Sequence, residues 1–193
     1  MRVITFQDKY VLDFLKVNET DNPIYECKQI FFQKKQEKLF NLIANKLKET
    51  CGIESERHVI PIWGWVVKKD LKITDDLLNE LYNRAIPKCN RMVVLELEIP
   101  KEFILLSNFE IWNDELLFNT VFYDDYEITA EEFNKLFEKQ KGAVLQACFP
   151  FIAYDFVKSI RDYNDWVNRD YSQTDEWVRN AQAKGEYKED NEE

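Results

Sequence analysis

Glu96 and Glu98 are the first side chains in this chain whose type and spacing suggest chemistry. On a strand they share a face, with Cα atoms about 6.6–7 Å apart. If that face lines a pocket, one carboxylate raises the pKa of the other and can serve as general acid or base. On a solvated face the same pair is a charged rung facing lysines of a neighbouring strand. Trp63 and Trp65 repeat the spacing. Two indoles side by side can sandwich a flat ring such as adenine or nicotinamide, and can equally be core. Asp70-Leu71-Lys72 has the acid-x-Lys pattern of half a metal-dependent nuclease site, a spacing common by chance. Asp75-Asp76 and Asp124-Asp125 carry the charge for a divalent ion without the loop spacing of a calcium site. First-turn helix charges and a solvated loop account for them. His58, the single histidine, reads as an edge residue beside a strand start, and it leaves no basis for a His-rich zinc site. No P-loop, G-x-G-x-x-G or G-x-S-x-G element is present.

The elements that must position these residues are legible as patterns. Val93, Leu95, Leu97 and Ile99 alternate with Val94, Glu96 and Glu98, the period of a strand with one buried face, ended by Pro100. Val59–Val67 is a second strand, with Ile60, Ile62, Gly64 and Val66 on one face and both tryptophans on the other. Gly64 within it predicts a bulge or a close backbone approach. Residues 2–6 read as a short strand and Asp8 as the cap of a helix with Val11, Phe14 and Leu15 inward. Residues 24–28 read as another short strand. The longest helix is predicted over residues 32–51, closed by Gly52. Thr74 is placed as the cap of a helix that ends before Pro87. Ser107-Asn108-Phe109-Glu110 predicts a capping box and a helix carrying Phe109, Trp112, Leu116 and Leu117. Thr129–Glu132 predicts a second one, with Phe133, Leu136 and Phe137 inward and Gly142 at its end. Residues 143–149 read as a buried strand, residues 153–163 as a helix with a thin apolar face, and Thr174 as the cap of a last helix. Strands and helices mix without a βαβ rhythm, which predicts an α+β domain over residues 1–164 with a mixed sheet of about five to six strands. Residues 165–193 are expected to be a helical and acidic tail, partly disordered.

Composition narrows the function classes. The formal charge is −10, but residues 170–193 hold eight acidic and three basic residues, so half of the excess sits there. The remaining 28 acidic and 23 basic residues are interleaved, which argues against a nucleic-acid mimic and against broad nonspecific nucleic-acid binding. No apolar run approaches the roughly 18 residues of a membrane span. The four cysteines lack paired spacing and read as reduced thiols, so a soluble cytoplasmic protein is expected, with no membrane partner.

Several segments together resemble a bacterial family known as domain of unknown function 3841. Its Thr-x-Gln opening matches Thr5-Phe6-Gln7, and its Pro-Val-Trp-Ala-Trp strand matches Pro61-Ile62-Trp63-Gly64-Trp65. Its Lys-Pro-Asp-Leu-Arg exit is similar to Lys68-Lys69-Asp70-Leu71-Lys72, with lysine for both proline and arginine. Its Leu-Glu-x-Glu-hydrophobic-Pro strand matches Leu95–Pro100. Its Leu-Leu-Ser-Asp-Phe-Asp-x-Trp step matches Leu105–Trp112, with Asn108 and Glu110 for the two aspartates. Its Ile-Gln-Ala-Thr-Phe strand matches Leu145–Phe149. The resemblance spans about residues 3–163 and implies a fold unit without a transferable activity. A remoter likeness in element order is to compact ADP-ribosyltransferase-type folds, which use NAD and carry a glutamate on a late strand. Here Gln146 stands at that strand, and Phe6-Gln7 replaces the usual His or Arg near the first.

Two functions from different classes fit these residues. In the first, a nucleotide-type ligand of the NAD or ADP-ribose class binds between the Trp and Glu strands, with transferase chemistry a further expectation. Glu96 and Glu98 would be catalytic there, and Gln7, Trp63, Trp65, Asp70, Lys72, Trp112 and Gln146 would hold the ligand. In the second, a non-catalytic protein-interaction or inhibitor protein acts through an acidic, aromatic surface, with Tyr163, Trp166, Tyr171 and Trp177 of the C-terminal segment contributing.

Overall fold

The computed structural model describes residues 1–17, 23–27, 36–68, 72, 74, 77–78, 81, 92–123, 125–138 and 144–162. All of them fall in the first of the two units into which the chain divides, Met1–Tyr163. Expectations for Asp70, Asp75-Asp76, Asp124, Pro87, Gly142, the start of the long helix and the C-terminal segment lie outside the described residues.

The chain folds as α+β around one six-stranded sheet. Its strands are β1 (Arg2–Asp8), β3 (Ile62–Val66), β4 (Met92–Glu98), β5 (Leu105–Asn108), β6 (Leu145–Phe149) and β8 (Val157–Asp162), in the order β5-β6-β3-β1-β4-β8. Two short strands, β2 (Ile24–Tyr25) and β7 (Ile152–Ala153), pair separately. Every pairing among the described residues is antiparallel, where a mixed sheet was expected. The tryptophan strand and the glutamate strand are also not neighbours. β1 lies between them, so Ile4 pairs with Trp65 on one side and with Glu96 on the other.

Helices cover both faces. On one, Val11, Leu12 and Leu15 of α1 (Lys9–Val17) join a core with Val3, Ile62, Val93, Leu95, Leu97 and Phe149. The Asp8 carboxylate accepts from the Tyr10 amide at 2.8 Å, as expected at this helix start. On the other face, Leu39, Ile43 and Leu47 of α2 (Glu37–Cys51) pack with Leu105, Cys148, Trp112 and Leu116. Gly52 ends α2 in the left-handed region, φ 65°, with its amide bonded to the Lys48 carbonyl. Because both faces are covered, Met92 to Leu95 are buried without interruption, and the predicted one-sided alternation begins only at Glu96.

Two predicted helix features differ. Ser107 caps nothing: it is buried in β5 opposite Gln146, and Asn108 Oδ1 accepts from the Glu110 amide at 2.9 Å instead. The chain then winds into a seven-residue π-helix (Ile111–Leu117) that runs into α3 (Phe118–Phe122). Residues 153–162 form no α-helix, only one 3-10 turn over Tyr154–Phe156. Their thin apolar face pairs as the edge strand β8 along β4, with a register shift at Glu96/Leu97. The Thr129 capping box is present in full, with the Glu132 amide donating to Thr129 Oγ1 at 3.2 Å and the Thr129 amide to Glu132 Oε2 at 2.9 Å. It opens α4 (Ala130–Lys135).

Gly64 is where β3 meets β1 most closely. A Cβ there would lie 2.4 Å from Val3 Cγ1 and 2.9 Å from the Ile4 carbonyl oxygen. The carbonyl belongs to a central strand and cannot withdraw without breaking a ladder. Gly64→Ala is therefore expected to destabilise the fold by about 1–3 kcal/mol, the usual cost of overpacking. Urea denaturation checks this, and an unchanged midpoint would show that β1 yields.

Candidate functional site

The register places Trp63, Trp65, Glu96, Glu98 and Gln146 on one face of the sheet. That much of the expected constellation is brought together, but two local structures divide it. Around the tryptophans the face is filled by the protein's own rings. Trp63 lies against Trp112 with centroids 4.6 Å apart and planes inclined by 31°. Phe40 sits edge-on to both, 6.5 Å from Trp63 and 5.3 Å from Trp112. Trp65 is buried, with Phe109 edge-on at 4.8 Å. Trp63 thus has an indole on it already, and the partner comes from the π-helix rather than from a ligand.

The glutamate half is electrostatic. Arg2 Nε donates to Glu96 Oε1 at 2.6 Å, and Ser159 Oγ donates to Glu96 Oε2 at 2.9 Å. Arg2 also donates to the Lys68 carbonyl at 3.3 Å and stands opposite Glu98 in the ladder. Burial pushes the Glu96 carboxyl up, but the bonds from Arg2 and Ser159, with the charges of Arg2 and Arg161, outweigh it and hold the pKa below the usual value of 4.5. A general acid needs the opposite shift. Glu96 is a carboxylate kept charged, the charged-rung alternative with arginine in place of lysine. Glu98 is exposed at the end of the strand.

The remaining candidates are scattered. Gln7 lies on the opposite face from Glu96, where its amide donates to Thr5 Oγ1 at 2.7 Å and Thr5 in turn donates to the Trp63 carbonyl at 2.6 Å. Lys72 is exposed, and Asp70 lies outside the described residues. Gln146 is buried between Trp65 and Ser107, its cross-strand partners. Neither Gln146 Oε1 nor Ser107 Oγ has a hydrogen-bond partner among the described residues, although Ser107 stands beside the Cys148 thiol. No group of three or more His, Cys, Asp or Glu side chains is arranged to hold a metal ion among the described residues. No helix among them is long and apolar enough to cross a membrane.

A feature the sequence reading placed elsewhere is an exposed aromatic group on α3. Phe118, Phe122 and Tyr123 are 46%, 67% and 58% exposed, and Phe118 packs on Phe122 with centroids 4.5 Å apart and planes inclined by 37°. Tyr123 lies edge-on to Phe118 at 6.4 Å. The π-helix feeds directly into this group, its last turn closed by the Phe118 amide bonding to the Asn113 carbonyl. Ile111, Trp112 and Leu116 go inward while the aromatics stay out. Exposed acids flank it in sequence, namely Asp114, Glu115, Asp125 and Glu127. Spacing alone made Leu116, Leu117 and Trp112 visible as a face, and gave no sign that the next turn would carry unburied phenylalanines.

Because the folded-state pKa of Glu96 lies below its unfolded value, the ion pair contributes stability above the ordinary carboxylate range and loses it as pH falls through the folded pKa. With the side chains partly exposed, Glu96→Gln is expected to cost about 1 kcal/mol at neutral pH. Thermal melts at several pH values should show the gap between parent and variant shrinking below about 4.5. A gap independent of pH would assign the loss to packing.

Comparison with protein-family models, with curated proteins and with solved structures returns no match. The likeness to ADP-ribosyltransferase-type folds is therefore without support, and the family resemblance rests on the sequence motifs alone.

Proposed function

We propose that this chain is a non-catalytic protein-interaction module whose contact surface is the aromatic group of α3. The observation that carries the proposal is Phe118, Phe122 and Tyr123 standing together in solvent, with acids before and after them in the chain. Clustered aromatics of this kind dominate binding energy at interface centres, with charges forming the rim. An acidic rim selects a partner that offers an apolar pocket ringed by Lys or Arg. The π-helix supports the reading, because such segments are rare and occur often at functional sites.

This chemistry defines the partner screen. Proteins captured by the full chain should be compared with those captured by Phe122→Ser and by the charge reversal Glu115→Lys/Asp125→Lys. A partner lost at least about tenfold with the first variant, and bound more weakly both with the second and at raised salt, is the expected result. An identical set of partners for all three chains would remove the surface from consideration.

The nucleotide reading keeps one supporting observation, the buried Gln146 and Ser107 oxygens without partners among the described residues, which a donor group of a bound molecule would satisfy. To reach them a ligand has to displace Trp65 or the rings packed around it. Thermal-shift measurements with NAD and ADP-ribose separate the two functions. A ligand at 100 times its dissociation constant adds about 2.7 kcal/mol. On the interaction reading the midpoint stays where it is, whereas a shift abolished by Gln146→Ala would favour the ligand.

A further inference from the structure

At one side of the sheet β8 pairs with β4, and among the described residues no strand lies along its outer edge. The ladder fixes which of its backbone groups face out. Met1 and Ile99 exchange both backbone bonds across β1 and β4, which makes them a hydrogen-bonded pair. In the unbroken register that follows, Leu97, Leu95 and Val93 also turn their amides and carbonyls to β1, while Glu96 and Val94 turn theirs to β8. Opposite those two stand Ser159 and Arg161. Ile160 and Asp162 therefore direct their amides and carbonyls away from the sheet. Ile160 is also 39% exposed, an apolar side chain in the middle of this edge.

We propose that this edge pairs with β8 of a second copy of the chain, antiparallel about a two-fold axis at Ile160. In that register Ile160 faces Ile160 of the second copy, and the two exchange a pair of backbone bonds. Lys158 of each copy stands opposite Asp162 of the other, and Ser159 stands opposite Arg161. Pairing at an exposed strand edge is a recurrent binding mode, in which main-chain bonds give affinity and side chains set the choice of partner.

Charge selects this register and this occupant. An axis at Ser159 sets Lys158 against Ile160 and Asp162 against Phe156, so neither charge is answered. An axis midway between Ser159 and Ile160 sets Lys158 against Arg161, and it brings inward-turned backbone groups against outward-turned ones. Sheet edges are commonly blunted by a lysine or a bulge. Here the register shift lies near the start of β8, beside Lys158, and the regular stretch over residues 159–162 keeps its apolar side chain central. Lys158 is exposed and donates to the Asp155 carbonyl at 3.3 Å. Asp162 already has Lys9 of α1 at 3.9 Å, an exposed contact loose enough to admit a second cation. One strand from each copy makes a small interface, so the association belongs to the weak class.

The test is sedimentation equilibrium of the full chain over roughly 1 to 300 μM, the range of a small interface. The mass is expected to rise from the 23.2 kDa of one copy toward twice that value. Ile160→Lys should weaken association at least about tenfold, because it sets two ammonium groups against each other on the axis. Lys158→Asp and Asp162→Lys should each weaken it as well, and the two combined should restore it, since opposite charges then face each other again. That recovery also separates a lost interface from a damaged fold. Phe122→Ser, on the aromatic surface of α3, should leave the dimer unchanged. A chain that remains one copy across the whole range would overturn the inference. So would a dimer indifferent to Ile160→Lys and to the charge exchange.

Discussion

The fold depends on the desolvation of the middle of its central strand, Val3 to Thr5 of β1. Val3 and Ile4 point to opposite faces of β1, and neither has any exposed surface. A strand in that position needs neighbours on both edges, since its amides and carbonyls have no water to turn to. β4 supplies one edge along the whole strand, from Arg2 opposite Glu98 to Asp8 opposite Met92. β3 supplies the other for only two residue pairs, and there the contact is close because Gly64 has no side chain. Everything outward of β3, including the Trp63 rings and the α2 layer, inherits its position from this approach.

The same arrangement decides what the conspicuous side chains do. Trp63 and Trp65 share a strand face, as two ring-binding residues would. That face, however, is also where α2 and the π-helix deliver Phe40, Trp112 and Phe109. Rings brought together over one sheet face pack on one another. Glu96 is handled by a different rule. At the margin of the core a carboxylate stays charged only with donors at hand, and β1 and β8 each contribute one, Arg2 and Ser159. Chemistry read from residue type is thus overtaken by what the flanking strands bring.

Much of the fold was legible because its signals are local. The Thr129 box, the Gly52 stop, the Asp8 cap and the alternation in β3 need only a few consecutive residues. The misreadings are all non-local. Ser107 satisfies the capping pattern, yet the ladder with Gln146 claims it first. Residues 153–163 lack a strong strand pattern, and the open edge of β4 makes a strand of Val157–Asp162. The insertion of β1 between the Trp and Glu strands has no local signature, since strand order is a property of the whole sheet. For the same reason each pair, Trp63/Trp65 and Glu96/Glu98, could be given a shared strand face from sequence, while the separation into an aromatic core and an ion pair could not.

The central position of β1 also sets an order of events during folding. Its bond to Glu96 spans 94 residues and its bond to the Trp63 carbonyl spans 58. β1 therefore cannot be secured until the chain through β4 exists, whatever helix α1 forms beside it. Closing such long loops before any reward is slow, and chains dominated by distant pairings fold late and pass through states with open strand edges. Residues 2–8, apolar at Val3, Ile4 and Phe6, wait unpaired during that interval. A strand flanked on both edges in the finished sheet is thus an exposed liability while the protein is being made.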